Sequence, residues 1–228
     1  MRFDILTLFP DMCEESLSHS ILGRAQRDDR IQVGVHNIRE HGIGKHRVVD
    51  DTPYGGGSGM VMRVDVVASA IESIRQPEST VILMDPTGHR FDQAKAKELA
   101  QHPHLILVCG HYEGVDGRVR EHLVDEALSI GDFVLTGGEL AACVVVDAVA
   151  RLRPGVLGNA ESLEEESFNR GLLEAPCFTR PREFQGWAVP EVLTTGHHGR
   201  ISDWRAEQSR QRTVEIRPDL MIADDESV

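Results

Sequence analysis

The chain has 228 residues and a formal net charge of −13 at pH 7, from 37 acidic against 24 basic side chains. That balance excludes a protein that coats nucleic acid through bulk positive charge, and leaves room for local contact where positive charge gathers. With 40% hydrophobic and 27% charged residues, the composition is that of a soluble globular protein. No run reaches the roughly 18 apolar residues of a membrane span, and the first residues lack a secretory pattern. The expectation is therefore a cytoplasmic protein with no membrane partner. Cys13, Cys109, Cys143 and Cys177 are far apart and form no C-x-x-C pair, which favours reduced thiols over a disulfide framework.

In chain order, Arg2 to Phe9 reads as a strand, and Pro10-Asp11 opens a helix to about Gly23. Ile31 to Ile38 alternates apolar and polar residues and reads as a second strand. Glu40 to Met60 is polar and glycine-rich, so it is predicted to be a long loop. Val64 to Ile74 has helical apolar spacing, and Thr80 to Met84 reads as a short strand ending at the turn signature Asp85-Pro86-Thr87-Gly88. Phe91 to Ala100 reads as a helix, Leu105 to Cys109 and Ala127 to Ile130 as buried strands, and Glu139 to Leu152 as a helix stopped by Arg153-Pro154-Gly155. Strands alternating with helices imply an α/β fold with a mostly parallel sheet covered on both faces. The domain reading is 1–158 for this unit, 159–171 for a flexible acidic linker, and 172–228 for a small, mainly helical carboxyl-terminal domain with a helix from about Ile201 to Gln211. Between Arg180 and Arg217 arginines outnumber acids.

Two glycine-bearing loops carry the functional signal. Gly110-His111-Tyr112-Glu113-Gly114 follows one predicted strand, and Gly131-Asp132-Phe133-Val134-Leu135-Thr136-Gly137-Gly138 follows another. In an open parallel sheet ligands sit at the carboxyl ends of strands, and glycine lets backbone approach a ligand closely. The loops are therefore expected to frame one pocket for a ligand with an adenosine-like body. Tyr54 to Met60 is no phosphate-binding P-loop, because no Lys follows its last glycine. Tyr112 at the centre of its loop excludes a serine-hydrolase elbow, and the histidines lack zinc-site spacing. Residues alone leave the reaction open.

Several motifs go further. They are Asp4-Ile5-Leu6-Thr7-Leu8-Phe9-Pro10; Asp50-Asp51 with Pro53-Tyr54-Gly55-Gly56-Gly57; Gly110 with Tyr112-Glu113-Gly114; and Ser129-Ile130-Gly131-Asp132. Gly137-Gly138-Glu139-Leu140, Pro154-Gly155-Val156-Leu157-Gly158, Thr179-Arg180-Pro181, Trp204-Arg205 and Arg217-Pro218-Asp219-Leu220 continue the pattern to about residue 220. In these the chain resembles the TrmD family of bacterial tRNA (guanine-N1)-methyltransferases, of the SPOUT class.

The resemblance implies a deep trefoil knot, S-adenosylmethionine as methyl donor, Mg2+, tRNA as substrate, and a homodimer whose active sites draw on both chains. It implies methylation of N1 of the guanosine just 3′ of the anticodon, tRNA position 37, which supports reading-frame maintenance. The donor would contact Gly110, Ile130, Gly131, Asp132, Phe133, Val134 and Leu135, with Met84, Pro86, Tyr112, Glu113, Gly137 and Gly138 close by. The catalytic pair would be Glu166 as base and Arg151 as cation. The best-studied members carry Asp where this chain has Glu166, and the adjacent Glu165 offers the same group. Ser58 stands where proline is usual. The RNA-binding candidates are Arg180, His197, Arg205 and Arg210; the metal ligands are not assigned. A related knotted methyltransferase acting on ribosomal RNA and a non-catalytic RNA-binding module remain the alternatives.

Overall fold

A computed structural model of the chain describes residues 1–158 and 166–222. It divides into two compact units, Met1–Gly158 and Asn159–Val228. Much of the predicted linker, 159–165, lies outside the described residues; the rest, 166–171, forms turns.

The first unit is built on β1 (Arg2–Thr7), β2 (Gln32–Asn37), β5 (Ser79–Arg90), β6 (His104–Cys109) and β7 (Glu126–Ser129), in the order β2-β1-β6-β5-β7. Every pairing in this sheet is parallel. Side chains alternate between faces along each strand, so the sheet serves two cores. Phe3, Ile5, Ile82, Leu105 and Leu107 meet α1 (Pro10–Leu17), α2 (Ser20–Arg27), α4 (Gln93–Leu99) and α6 (Glu139–Ala150) on one side. Leu6, Val81, Leu83, Ile106 and Val108 meet α3 (Val64–Ile74) and α5 (Gly117–His122) on the other. β6 is buried along its whole length, which is why its sequence is an unbroken apolar run rather than an alternating one.

Several elements differ from the sequence reading. The helix expected from Pro10 to Gly23 is two helices, broken where Ser20 takes φ 53°. Gly23 explains the sharp fold: a Cβ there would stand 2.0 Å from the Ser18 carbonyl oxygen. The loop expected from Glu40 to Met60 starts within a 3-10 helix (Ile38–His41) that begins at the end of the predicted second strand; it contains a bridge between Ile43 and Val48 and β3 (Asp50–Asp51), paired antiparallel to β4 (Val61–Met62) just beyond it. The turn expected at Asp85 to Gly88 interrupts β5 without ending it. Pairing with β7 shifts register between Met84 and His89 and then resumes at Arg90. Thr87 N and Oγ1 both donate to Asp85 Oδ1 there, so the turn chemistry is present inside a strand bulge. α5 was not anticipated; Asp116 caps it by accepting from Arg118 N.

A buried polar cluster ties three strands together. Asp4 is fully buried and accepts from His36 Nε2 and His104 Nε2, each at 2.7 Å, and pairs with Arg2 at 2.6 Å. Burial pushes its carboxyl up, but these bonds outweigh it and hold the group below the usual carboxylate range.

In the second unit β8 (Glu183–Phe184) and β9 (Trp187–Ala188) form an antiparallel hairpin that was not anticipated, because each strand is two residues long. α7 (His198–Ile216) is longer than expected and is followed by α8 (Asp219–Ile222). Thr213 is buried, and its Oγ1 accepts from Leu173 N, while Ser209 Oγ donates to Leu173 O. These bonds fasten the chain at residue 173 to α7. Trp204 is half-buried beside Phe178, with ring centroids 6.2 Å apart.

Candidate functional site

The two glycine loops meet at the carboxyl ends of β6 and β7. Gly138 N donates to Gly110 O at 2.9 Å, and His111 bridges Gly137. Contact this close needs glycine. A Cβ on Gly138 would stand 2.8 Å from Cys109 Cα and 3.0 Å from Met84 Cβ. The 110–114 loop is held from its other side by β4: Glu113 N donates to Met60 O, and Met62 N donates to Gly114 O, both at 3.0 Å. Tyr112 and Gly114 take φ of 60° and 110°, so the loop turns through conformations that favour glycine at the second position.

Between these loops and the β5 bulge lies a cavity of about 330 Å3, within the range typical of small-ligand sites. Of the candidates named for the donor, Met84, Pro86, Gly110, Tyr112, Glu113, Ile130, Phe133, Val134, Leu135, Gly137 and Gly138 line it. Gly131 and Asp132 belong to the same loop but are not in the wall; Gly131 takes φ 153° and the Phe133 ring folds back against it.

Sequence reasoning did not single out Asp85, Thr87 or Ser129, and named His111 only as part of its loop; all four line the cavity. Their signal was adjacency, since each flanks a residue already named. It also missed Arg120, which donates from Nη1 to Thr87 Oγ1 and from Nη2 to Thr87 O at 3.1 Å, bracing the bulge from α5. Gly88 lets that bulge lie against β7, where a Cβ would meet the Ala127 carbonyl at 2.5 Å.

The floor beneath the loops holds a buried carboxyl and two buried thiols. Glu139, at the start of α6, is buried and accepts from Thr7 Oγ1 at 2.7 Å. Burial and the Glu139 charge push the Cys109 thiol up. A hydrogen bond with Cys143, then burial, pushes Cys13 up as well. Both buried thiols therefore stay protonated and unreactive. His111 Nδ1 is the one buried side-chain nitrogen or oxygen among the described residues with no hydrogen-bond partner, and its ring is wedged between Phe9 and Tyr112 at 4.9 and 5.0 Å. An unsatisfied polar atom in a cavity wall is where a ligand or water is expected to bond.

Arg151 is the C-cap of α6, half-buried, with its backbone N–H donating to Asp147 O. Glu166 lies in the second unit, where it lines a separate groove of about 1220 Å3. Glu165 lies outside the described residues. Arg180, Arg205 and Arg210 line the same groove, together with Arg170 and Arg182. His197 is not in its wall; its Nδ1 accepts from Arg200 N and caps α7, and the neighbouring His198 lines the groove instead. Among the described residues no three His, Cys, Asp or Glu side chains are grouped to hold a metal ion, and no helix is long and apolar enough to cross a membrane.

A sequence model of the family described as tRNA (Guanine-1)-methyltransferase TrmD matches residues 1–223. The chain is similar to proteins named tRNA (guanine-N(1)-)-methyltransferase in several bacteria. It is 55% identical over 225 residues to that of Desulforamulus reducens, covering 97% of this chain and 89% of the relative. It is 55% identical over 224 residues to that of Chloroflexus aggregans, covering 97% and 88%. For Brevibacillus brevis the figures are 54% over 222 residues, 97% and 91%.

Proposed function

The chain belongs to the TrmD family of tRNA (guanine-1)-methyltransferases, and we propose that it transfers the methyl group of S-adenosylmethionine to N1 of the guanosine just 3′ of the anticodon, position 37. It is an enzyme that methylates guanine in tRNA. The observation that carries the finer reading is the cavity between the 110–114 and 130–138 loops, at the strand ends where a nucleoside ligand is expected.

The residues present fit such a donor. The walls are backbone and apolar side chains such as Leu128, Ile130 and Leu135, with a few polar groups converging, and the His111 Nδ1 waits for a partner. Bound there, the donor would supply a methyl carbon on a sulfonium, its C–S bond breaking as the new N–C bond forms and the electron pair leaving on sulfur as a neutral thioether. Guanine N1 must lose its proton to attack that carbon. Glu166 is assigned to accept this proton, which at an ordinary general base is worth about 10²–10⁴ in rate. As the proton leaves, charge grows on O6, and Arg151 is assigned to donate to it; a fixed guanidinium is stabilising where water is scarce. The family resemblance implies magnesium; among the described residues no three His, Cys, Asp or Glu side chains are grouped to hold it.

The trefoil knot is part of the same proposal. β7 lies at the sheet edge beyond β5, yet the chain after it crosses to the loop following β6 and continues into α6, packed against α1 and α4. A homodimer is supported by Leu140 and Val144, one turn apart on α6 and 52% and 46% exposed, an apolar stripe that a partner would cover. A cytoplasmic location follows from the substrate.

The test is methyl transfer from labelled S-adenosylmethionine to an unmodified tRNA transcript with guanosines at positions 36 and 37. Transfer to N1 of position 37 is expected. Arg151→Ala and Glu166→Gln are expected to lower kcat by at least about 10² while donor affinity holds. Equal loss of donor binding would remove the assigned roles, and transfer to ribosomal RNA instead would reject the substrate.

A further inference from the structure

The β8–β9 hairpin presents two large aromatic rings to solvent. Phe184 is 56% and Trp187 70% exposed, in a chain with only 2 tryptophans. They face each other as a cross-strand pair, centroids 6.0 Å apart and planes tilted by 53°. The turn between them, Gln185-Gly186, takes φ of 52° and 84°. Both values positive is the two-residue hairpin geometry that matches strand twist, so the rings stand on a short, well-determined support.

The base of the hairpin belongs to the arginine-bearing groove of the second unit. Val189 N donates to Arg182 O at 2.9 Å, and both residues line that groove. Arg182 is steadied by donating from Nη2 to Thr194 Oγ1, and Arg180 lies in the same wall. Guanidinium groups beside an exposed aromatic pair are the two elements that bind single-stranded nucleic acid: cations for the backbone and a π-face for the base. An exposed tryptophan without a partner is otherwise an aggregation liability.

We propose that Phe184 and Trp187 form a stacking platform for an unpaired base of the RNA substrate, with Arg182 and Arg180 taking the adjoining phosphates. This rests on the tRNA reading above and adds a base-stacking contact in the second unit. Stacking tolerates any base, so the platform would contribute affinity and register rather than sequence choice.

The experiment compares Phe184→Ala, Trp187→Ala, Trp187→Phe and Arg182→Ala with the parent enzyme, using a full-length unmodified tRNA transcript. Each alanine at 184 or 187 is expected to raise KM for tRNA about 5- to 100-fold, with kcat and donor affinity unchanged and the phenylalanine at 187 recovering most of the loss. The salt dependence of binding should keep its slope in Trp187→Ala and fall by about one in Arg182→Ala. Tryptophan fluorescence of the parent should quench on adding tRNA, and that quench should vanish in Trp187→Phe, which retains Trp204. Thermal melting shows that the variants are folded, as expected for solvent-facing positions. A KM within about twofold of the parent together with no quench overturns the platform. So does loss of concentration-dependent self-association in the alanine variants at unchanged tRNA affinity, which would make the hairpin a protein contact. Failure of the parent enzyme to methylate tRNA at all would instead reject the proposed function.

Discussion

Replacing Gly138 with alanine tests whether close contact between the two loops makes the cavity. The added methyl would stand 2.8 Å from Cys109 Cα and 3.0 Å from Met84 Cβ, against an ordinary carbon–carbon separation of about 3.5–4.0 Å. Backbone on one side cannot swing away, so α6 must retreat by up to about 1 Å from the ends of β5 and β6. Overpacking of this kind costs about 1–3 kcal/mol. Gly138 sits at φ −81°, open to any residue, so alanine regains about 0.4–1 kcal/mol by restricting the unfolded chain. The net expectation is a loss of about 1–2 kcal/mol, or a Tm lower by roughly 2–8 °C for a unit of this size. Because the retreat breaks the Gly138 N to Gly110 O bond, donor affinity should fall about tenfold or more. Calorimetry reads both quantities. Gly117, with nothing within 4 Å of its Cβ position and no positive φ, is the control, and alanine there should be neutral or slightly stabilising. An unchanged Tm and unchanged donor affinity in Gly138→Ala would refute the reasoning.

Three further outcomes follow from the same geometry. Asp4→Asn removes a buried charge from its three basic partners and should cost about 3–5 kcal/mol at neutral pH. Because the folded Asp4 titrates below its unfolded value, its contribution is complete above pH of about 4 and fades as pH falls through the lower folded value. Denaturant melts from pH 2 to 7 should therefore show a flatter acid limb in the variant, and parallel curves would remove Asp4 from the account. Thr7→Val takes the donor from buried Glu139 and should cost about 1–3 kcal/mol in a urea melt, whereas Thr7→Ser keeps the hydroxyl and should recover most of it. Leu140→Asp with Val144→Asp places charge on the apolar stripe of α6. Sedimentation is expected to show the proposed dimer for the parent and monomers for the variant, and a dimer persisting in the variant would locate the interface elsewhere.

Much of the first unit was legible in the sequence because its signals are local. Val64–Ile74 is helical where its apolar spacing placed it, since a helix over a sheet needs one apolar stripe and the period shows it. The run Leu105 to Cys109 is a buried central strand because both of its faces are covered, and an unbroken apolar run shows that. Glycines at strand ends mark the two loops in the sequence, since the residue type itself states what the backbone must do there.

The misses are of another kind. β8 and β9 are two residues each, too short to show any alternation. The β5 bulge reads locally as a turn, because Asp85-Pro86-Thr87-Gly88 has turn chemistry. Only the resumed pairing of His89 and Arg90 with β7, braced by Arg120, makes it part of a strand. Asp4 reads as an ordinary polar residue among apolar neighbours; it becomes a buried anchor only when His36 and His104, 32 and 100 positions away, converge on it.

By itself, then, the sequence determined the central strands and the longer helices of the larger unit, which loops carry glycine for close approach, and, through ordered motifs, the family. Tertiary structure alone decided that those loops bond to each other, that Glu139 lies buried beneath them, and that Phe184 and Trp187 share one exposed face. The reason is physical: secondary structure and turn chemistry answer to neighbours a few residues away, whereas cavities, buried charge and surface platforms are made by groups that chain folding brings together from far apart.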